Sequence, residues 1–277
     1  MYYPKYILFN DGVKEITVDM AIEALDYMVS LISLKNRVSS DYKKAILVLK
    51  SMKHTYIHCH SEKQIRSIYP LNNQEVVYLD YCDNFVTIKE NYKEIGLAIP
   101  TICNTEMFEK CDKIIQQFPN IQVAVSNVGA YERYKQNVTL LLPGMNLSHF
   151  YAHNSYQVPA VLSLDMDVND EKETIKSTNN LLLMTYGYID AMTTKYCPVS
   201  YSCYGKKIEK CNQCLKGKYE LSDRMNVKFA MIFDEHCICH ILSDKPISRK
   251  AMKYQYIRFT LENEKDTEQI IGKYRNI

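Results

Sequence analysis

Short apolar runs alternate with amphipathic stretches from the start of the chain to about residue 186. The runs are four to eight residues long and rich in β-branched and aromatic residues, a composition typical of β-strands. They predict strands at KYILFN, HTYIHC, EVVYLDY, EIGLAIP, IQVAVSN, VTLLLP, PAVLSLD and NLLLMTY.

Helical patterns separate several of these runs. In TEMFEKCDKIIQQF, residues 105–118, apolar side chains recur at helical spacing after an acceptable N-cap at Thr105. An earlier stretch, ITVDMAIEALDYMVSLISLKNRV, is amphipathic and predicts a helix packed against a sheet.

Apolar strands separated by helices predict a parallel sheet covered on both faces, because parallel neighbours need crossover connections. Seven or eight such strands favour an α/β fold with a TIM-barrel-like parallel barrel, complete or incomplete, over a small doubly wound sheet. The functional groups of such barrels lie at the carboxyl ends of the strands. We therefore expect the site among these residues: His58 to His60, Asp80 to Asp83, Ser126, Asn127, Asp165 and Tyr186.

The chain changes character after Met192, where it becomes rich in cysteine and turn residues. KFAMIFDE and CHILSD follow as a predicted β pair, and a polar, charged tail ends the sequence. We predict a barrel-like domain over residues 1–190 and a cysteine-rich, cluster-binding region over residues 191–277 that includes the β pair and the tail.

Composition limits the class of protein. Apolar residues make up 47% and charged residues 24%, which is ordinary for a globular chain and excludes disordered, collagen-like and coiled-coil classes. A net charge of +2 gives no strong field that would steer nucleic acid or membrane to the protein. The start lacks a secretory signal and no apolar run reaches spanning length, so we expect a cytoplasmic protein with no membrane partner.

Ten cysteines in a reducing compartment indicate ligation, catalysis or burial rather than disulfides. Six of them fall between residues 197 and 239: Cys197, Cys203, Cys211, Cys214, Cys237 and Cys239. The gap between Cys211 and Cys214 lets a tight turn direct two sulfurs to one centre. Zinc sites usually have two CxxC pairs and this chain has one, whereas an iron–sulfur cluster accepts irregular spacing. The spacing favours a cluster, with zinc or plain burial of small thiols as alternatives.

Several motifs then follow one another in an informative order. VAVSNVGA, PGMNLSHFYAHNS and VLSLD precede GYIDAMTTKYCPVS, KCNQC, KYELSDR and CICHILSDKP. Over about residues 75–248 this order resembles peptidase family U-32, the collagenase-like peptidases. The chain departs from the family pattern at Asp165, Tyr186, Ser243 and Asp244, where a glutamate, a histidine and an asparagine are usual.

The resemblance implies a 4Fe-4S cluster bound by Cys197, Cys211, Cys214 and Cys237, with Cys203 and Cys239 as residues that could replace a member of this set. The other cysteines are interpreted as structural: Cys59, Cys82, Cys103 and Cys111.

The resemblance also implies the function. Family members act in hydroxylation of RNA bases and in oxygen-independent hydroxylation during quinone synthesis, so we expect a modification enzyme that acts on RNA or a small molecule. The electron donor and the oligomeric state stay open. The alternatives are a non-catalytic binding module stabilised by zinc or a cluster, and a genuine peptidase, for which the sequence offers no GxSxG, no HExxH and no convincing cysteine–histidine pair.

Histidines form two further candidate groups. His58 and His60 share one face of a strand, a spacing that suits metal ligation but that we interpret as strand-end hydrogen bonding. His54 precedes them, and His149 and His153 have the spacing of two ligands on one helical face. Asp223 and Arg224 are interpreted as a turn-forming ion pair.

Overall fold

The computed structural model describes residues 55–148, 152, 155–156, 158–166, 171, 180–206, 208, 211, 213–234 and 237–275. Four sequence predictions lie outside these residues: the strand at KYILFN, the helix over residues 16–38, the site residue His54 and the His149–His153 pair.

Strands and helices alternate through most of the chain. The strands are β1 (Thr55–Cys59), β2 (Glu75–Asp80), β3 (Gly96–Ala98), β4 (Val123–Val125), β5 (Val138–Leu141), β6 (Ala160–Val161), β7 (Leu181–Gly187), β8 (Asp190–Thr194), β9 (Tyr219–Ser222), β10 (Lys228–Phe233), β11 (Cys239–Leu242), β12 (Ile247–Ser248) and β13 (Gln255–Phe259). The helices are α1 (Glu62–Ile68), α2 (Phe85–Asn91), α3 (Thr105–Gln117), α4 (Val128–Tyr134), α5 (Pro198–Tyr204) and α6 (Glu264–Arg275), with 3-10 turns at Pro143–Met145 and Gln213–Lys216.

Strands β1 to β7 and β13 form a closed, all-parallel barrel of eight strands within the described part of the chain. Each strand from β1 to β7 pairs with the next, and β13 closes the ring by pairing with both β7 and β1. Helices connect many of the strands. The predicted TIM-barrel-like α/β fold is confirmed, and the barrel is closed rather than incomplete.

A second, antiparallel sheet of β8, β11, β10 and β9 lies in the chain between β7 and β13. The predicted β pair is confirmed as β10 and β11, and β8 and β9 extend it on either side. The tail predicted to belong to the cysteine-rich region instead forms strand β13 of the barrel and helix α6. Its polar residues are not all exposed to solvent, because Gln255 is fully buried and bonds Thr55 and the carbonyl of Tyr274.

The two-residue alternation of the strands sorts side chains between two cores. Ile57, Cys59 and the equivalent residues of the other barrel strands face the helices. A second apolar group fills the barrel interior: Tyr56, Val76, Tyr78, Ala98, Ala124, Leu140, Leu142, Val161, Leu182, Met184 and Tyr256. Continuing this alternation to the carboxyl ends of β1, β2 and β13 places His58, Asp80 and Arg258 on the interior face.

The helix predicted over residues 105–118 is confirmed as α3. Its cap is Asn104 and not Thr105, since the Asn104 Oδ1 atom accepts a hydrogen bond from the Met107 amide at 2.8 Å. Cys111 is fully buried on its apolar face, as predicted. No helix among the described residues is long and apolar enough to cross a membrane.

An ion pair between α6 and β2 gives a first stability prediction. Arg275 Nε and Nη2 contact the two carboxylate oxygens of Glu75 at 2.7 and 2.9 Å, and the Glu75 side chain is 1% exposed. Replacing Arg275 by glutamine leaves that carboxylate buried without its cation, so we expect the free energy of unfolding to fall by about 3 kcal/mol. Urea denaturation measures the change.

The matched control is Arg133→Gln. Arg133 pairs with Asp112 at the protein surface, where its side chain is 46% exposed. Solvent weakens such pairs, and we expect a clearly smaller loss than for Arg275→Gln. Equal losses in the two variants would contradict the importance assigned to the Glu75 pair.

Candidate functional site

A cavity of about 550 Å³ opens at the carboxyl ends of the barrel strands. The volume suits a small organic ligand. The expected positions of several site residues are confirmed here, because the lining includes His58, His60, Asp80, Tyr81, Cys82, Ser126 and Asp165. Barrel strand β13 adds Arg258. Loops after the strands and residues of the antiparallel sheet complete the lining with Thr101, Asn146, Ser163, Asp190, Thr193, Ile232, Phe233, Asp234 and His240.

A chain of hydrogen bonds crosses the floor of this cavity. Tyr256 Oη lies 2.7 Å from His58 Nδ1, and His58 Nε2 lies 2.7 Å from Asp80 Oδ1. The second carboxylate oxygen, Asp80 Oδ2, lies 2.9 Å from His60 Nδ1. One carboxylate therefore holds two imidazoles, so the predicted strand-end hydrogen bonding of His58 and His60 is confirmed.

Two opposing effects act on the Asp80 carboxyl. Burial works to raise its pKa, but electrostatic attraction and hydrogen bonds from His58 and His60 outweigh burial and hold the pKa well below its ordinary value. Asp80 is therefore a carboxylate at neutral pH and acts as an acceptor towards both rings.

A second charged group lies beside the first, because His58 and Arg258 are register partners on the paired strands β1 and β13. Arg258 Nη1 contacts Asp190 Oδ2 at 2.9 Å, and His240 Nδ1 lies 3.8 Å from the same oxygen and 3.3 Å from Thr193 Oγ1. The other oxygen, Asp190 Oδ1, is buried and has no hydrogen-bond partner in the described protein. The ion pair therefore leaves one buried acceptor of Asp190 unsatisfied.

The ion pair makes stability depend on pH. Burial works to raise the pKa of Asp190, but Arg258 and His240 lower it from 3.8 to about 2. A folded-state pKa below the unfolded value stabilises the fold above about pH 4, and this contribution of about 2 kcal/mol is lost as the pH falls towards 2. We expect Asp190→Asn to flatten the fall in unfolding free energy between pH 4 and pH 2, whereas parallel wild-type and variant curves would refute this assignment.

Other predicted site residues have structural roles. Asn127 Oδ1 accepts from the Ala130 amide at 2.7 Å and caps α4. The Tyr186 hydroxyl donates to Glu262 at 2.8 Å, and its ring packs in the outer core. Asp223 makes the predicted turn, with Oδ1 accepting from the amides of Met225 and Val227.

Sequence reasoning missed the cavity residues that β13 and the antiparallel sheet contribute. Tyr256 and Arg258 lie on β13, within a stretch interpreted as a tail. His240 lies in the cysteine-rich stretch, where only the cysteines were interpreted as functional. The one available signal was the alternation in QYIRF, which places Tyr256 and Arg258 on one face of a strand and Ile257 and Phe259 on the other.

The pairing of the antiparallel sheet brings the four predicted ligand cysteines to one end. Cys239 pairs with Thr194, so Cys237 and Cys197 lie just beyond the same end of the β8–β11 ladder. Tyr219 pairs with Met231, and this register brings the turn before β9, which carries Cys211 and Cys214, towards the end of β10. The Tyr219 hydroxyl fixes that turn by donating to the Gln213 carbonyl at 2.7 Å.

Electrostatic coupling among the thiols agrees with this register. Burial raises the pKa of Cys214, and the neighbouring thiols of Cys237, Cys197 and Cys211 raise it further. All four predicted residues are therefore close enough to interact. Cys239 is buried beside this group, with a pKa raised to about 11 by burial and then by Cys197 and Cys214, whereas Cys203 is exposed on α5.

Comparison with known proteins finds no matching family model, no curated relative and no matching solved structure. The likeness to peptidase family U-32 therefore rests on the ordered motifs in the sequence.

The cysteine group adjoins the cavity. Phe233 and Asp234 line the cavity at the end of β10, and Cys237 follows in the next turn, where its amide donates to the Asp234 carbonyl at 3.1 Å. Cys237 has a φ of 57°, a left-handed conformation that non-glycine residues adopt rarely and often at functional sites. The turn thus connects the thiols directly to the wall of the cavity.

Four cysteines, the residue type that holds iron–sulfur clusters, lie towards one end of the antiparallel sheet. Among the described residues, no group of three or more His, Cys, Asp or Glu side chains has the geometry to hold a single metal ion. A single zinc ion needs its ligands on one tetrahedron, whereas a four-iron cluster spreads four thiolates over a larger volume. The comparison of this group with a cluster site therefore depends on the convergence of four thiols and not on the geometry of a single-ion site.

Proposed function

We propose that the protein binds a 4Fe-4S cluster through Cys197, Cys211, Cys214 and Cys237 and acts as a hydroxylation-type modification enzyme at the barrel mouth. The observation that carries this proposal is the convergence of these cysteines at the end of a sheet whose strand β10 lines the cavity. The resemblance to the cluster-containing members of peptidase family U-32 supplies the reaction class.

The electrostatics of the thiols support a bound metal centre. Because the neighbouring thiols raise the pKa of Cys214, loss of several protons would leave mutually repelling thiolates. Positive metal atoms offset that repulsion, which is why metal binding releases protons from cysteine. The arrangement is therefore costly as a set of free thiolates and favourable as a ligand set.

The cluster and the cavity have separate roles, which follow from where the cysteines and the cavity lie. When bound, the cluster supplies one-electron transfer. Phe233 and Asp234 form the wall between the cysteines and the cavity, and the cavity holds the substrate at the carboxyl ends of the strands.

The cavity limits the substrate to one small unit. A volume of about 550 Å³ accepts a small metabolite or a single base taken out of its stack, and not a folded RNA segment. The net charge of +2 gives little general attraction for polyanions. A hydroxylated small molecule or a single hydroxylated base is therefore the expected product.

The function is tested in cells that lack the chromosomal copy of this chain. Total RNA nucleosides and small-molecule extracts are compared by mass spectrometry after complementation with wild-type, Cys214→Ser or Cys203→Ser protein. We expect a product heavier by one oxygen atom with wild-type and Cys203→Ser protein and its loss with Cys214→Ser. A product that persists with Cys214→Ser would overturn the cluster-dependent function.

A further inference from the structure

The hydrogen bonds on the cavity floor leave one nitrogen without a partner. With neutral imidazoles, the Tyr256 hydroxyl donates to His58 Nδ1, while His58 Nε2–H and His60 Nδ1–H donate to the two oxygens of Asp80. Both nitrogens of His58 are then used. His60 Nε2 keeps its lone pair and has no hydrogen-bond partner among the described residues, although His60 lines the cavity with a side chain 28% exposed.

This arrangement is suited to proton transfer. A carboxylate that accepts from one imidazole nitrogen fixes the tautomer and leaves the other nitrogen as a base. Asp80 is itself held by His58, which Tyr256 holds in turn, so the position of His60 is set by strands β1, β2 and β13 together. The hydrogen bonds of such a chain polarise one another in the same direction.

We propose that His60 is a proton-transfer residue of this cavity and that Asp80 is its positioning residue. His60 Nε2 takes a proton from an O–H or N–H group of the ligand: an N–H bond forms, the ligand's O–H or N–H bond breaks, and its electron pair stays on the ligand atom. The Asp80 carboxylate balances the charge of the imidazolium, and the proton returns by the reverse step. The proposal goes beyond the cluster function and does not depend on it.

The charged groups of the lining indicate the ligand class. Arg258 carries the only guanidinium or ammonium group among the described lining residues, and Asp190 already pairs with it. A neutral molecule that presents an O–H or N–H group can donate to His60 Nε2, whereas a polyanion such as a phosphate ester finds no unpaired guanidinium or ammonium group among these lining residues.

Nitrogen-15 NMR of histidine-labelled protein tests the tautomer, with His60→Gln used to assign the signals. We expect neutral His60 to carry its proton on Nδ1 in the wild type and to shift towards the Nε2–H form in Asp80→Ala. The Cys214→Ser variant should keep the wild-type His60 signal, so a failure of the cluster proposal does not alter this test. An Nε2–H tautomer in the wild type, or no change in Asp80→Ala, would overturn the proposal.

Reaction with diethyl pyrocarbonate tests the free lone pair. The reagent acylates unprotonated imidazole nitrogen, so we expect His60 to react at least about tenfold faster than His58, whose nitrogens are both engaged. Mass spectrometry of His58→Gln and His60→Gln proteins separates the two sites. Equal rates would overturn the assignment of His60 Nε2, and protection by inorganic phosphate would overturn the neutral ligand class.

Discussion

Replacing Cys214 by serine is expected to lower the iron bound by anaerobically purified protein from about four atoms per chain to less than about one. Cys214 is the most informative member of the set, because its thiol interacts with Cys197, Cys211 and Cys237. Its loss leaves three thiolates in place of four. Iron analysis and the visible absorption spectrum measure the change.

Loss of the metal centre should also destabilise the antiparallel sheet. Cys237 is held in a left-handed conformation. Metal-binding free energy contributes directly to the stability of such segments. We expect limited proteolysis of Cys214→Ser to begin in the region of residues 205–238, with barrel strands β1 to β5 cut later.

Cys203→Ser is the matched control for both measurements. Cys203 belongs to the same stretch of sequence but is exposed on α5 and does not contribute to the coupling around Cys214. Its variant should keep the iron, the spectrum and the proteolysis pattern. Iron loss in Cys203→Ser with retention in Cys214→Ser would show that the ligand set is wrong.

Replacing Gly187 by alanine is the second change expected to have a large effect. Gly187 ends β7 with a φ of +135°, and an added Cβ would lie 2.5 Å from the Arg258 carbonyl oxygen and 2.9 Å from the Arg258 Cβ. Backbone strain and overlap with a neighbouring strand act together, so we expect the free energy of unfolding to fall by about 4 kcal/mol. The same overlap displaces Arg258 from Asp190 at the cavity wall.

Gly205→Ala separates the overlap from the backbone preference. Gly205 also has a positive φ, +67°, but nothing lies within 4 Å of its added Cβ. We expect a loss of about 1 kcal/mol, the usual cost of a left-handed conformation for alanine. Similar losses of unfolding free energy in the two variants, measured by chemical denaturation, would show that close contact does not explain why residue 187 is glycine.

Much of the barrel could be predicted from local sequence. Runs such as EVVYLDY and IQVAVSN combine strand length, β-branched residues and continuous burial, and each forms a strand of the parallel sheet. The carboxyl ends of these strands also indicated His58, His60 and Asp80, because the position of a functional group in such a barrel follows from the fold.

The closing strand could not be predicted in this way. In β13, Gln255 and Arg258 are polar, and their partners are distant in sequence: Gln255 bonds Thr55, 200 positions earlier. Local patterns do not encode such long-range pairing, so QYIRF resembled a solvated tail. The wall formed by Arg258, Asp190 and His240 was missed for the same reason.

The four proposed ligand cysteines, unlike the closing strand, were predicted from the sequence. Spacing alone left a cluster, zinc and buried thiols open, and the ordered motifs selected Cys197, Cys211, Cys214 and Cys237. The register of a four-stranded sheet then accounts for their convergence, although 40 residues separate the first from the last. Neither spacing nor the motifs indicated that this sheet borders the barrel mouth.

The most direct test is the iron, acid-labile sulfide and zinc content of anaerobically purified wild-type protein, measured together with its visible spectrum. The account predicts about four irons and about four sulfides per chain with broad brown absorption. About one zinc and no iron would contradict the cluster and indicate a zinc-stabilised module. A metal-free protein with ten reactive thiols after denaturation would show that the cysteines are simply free.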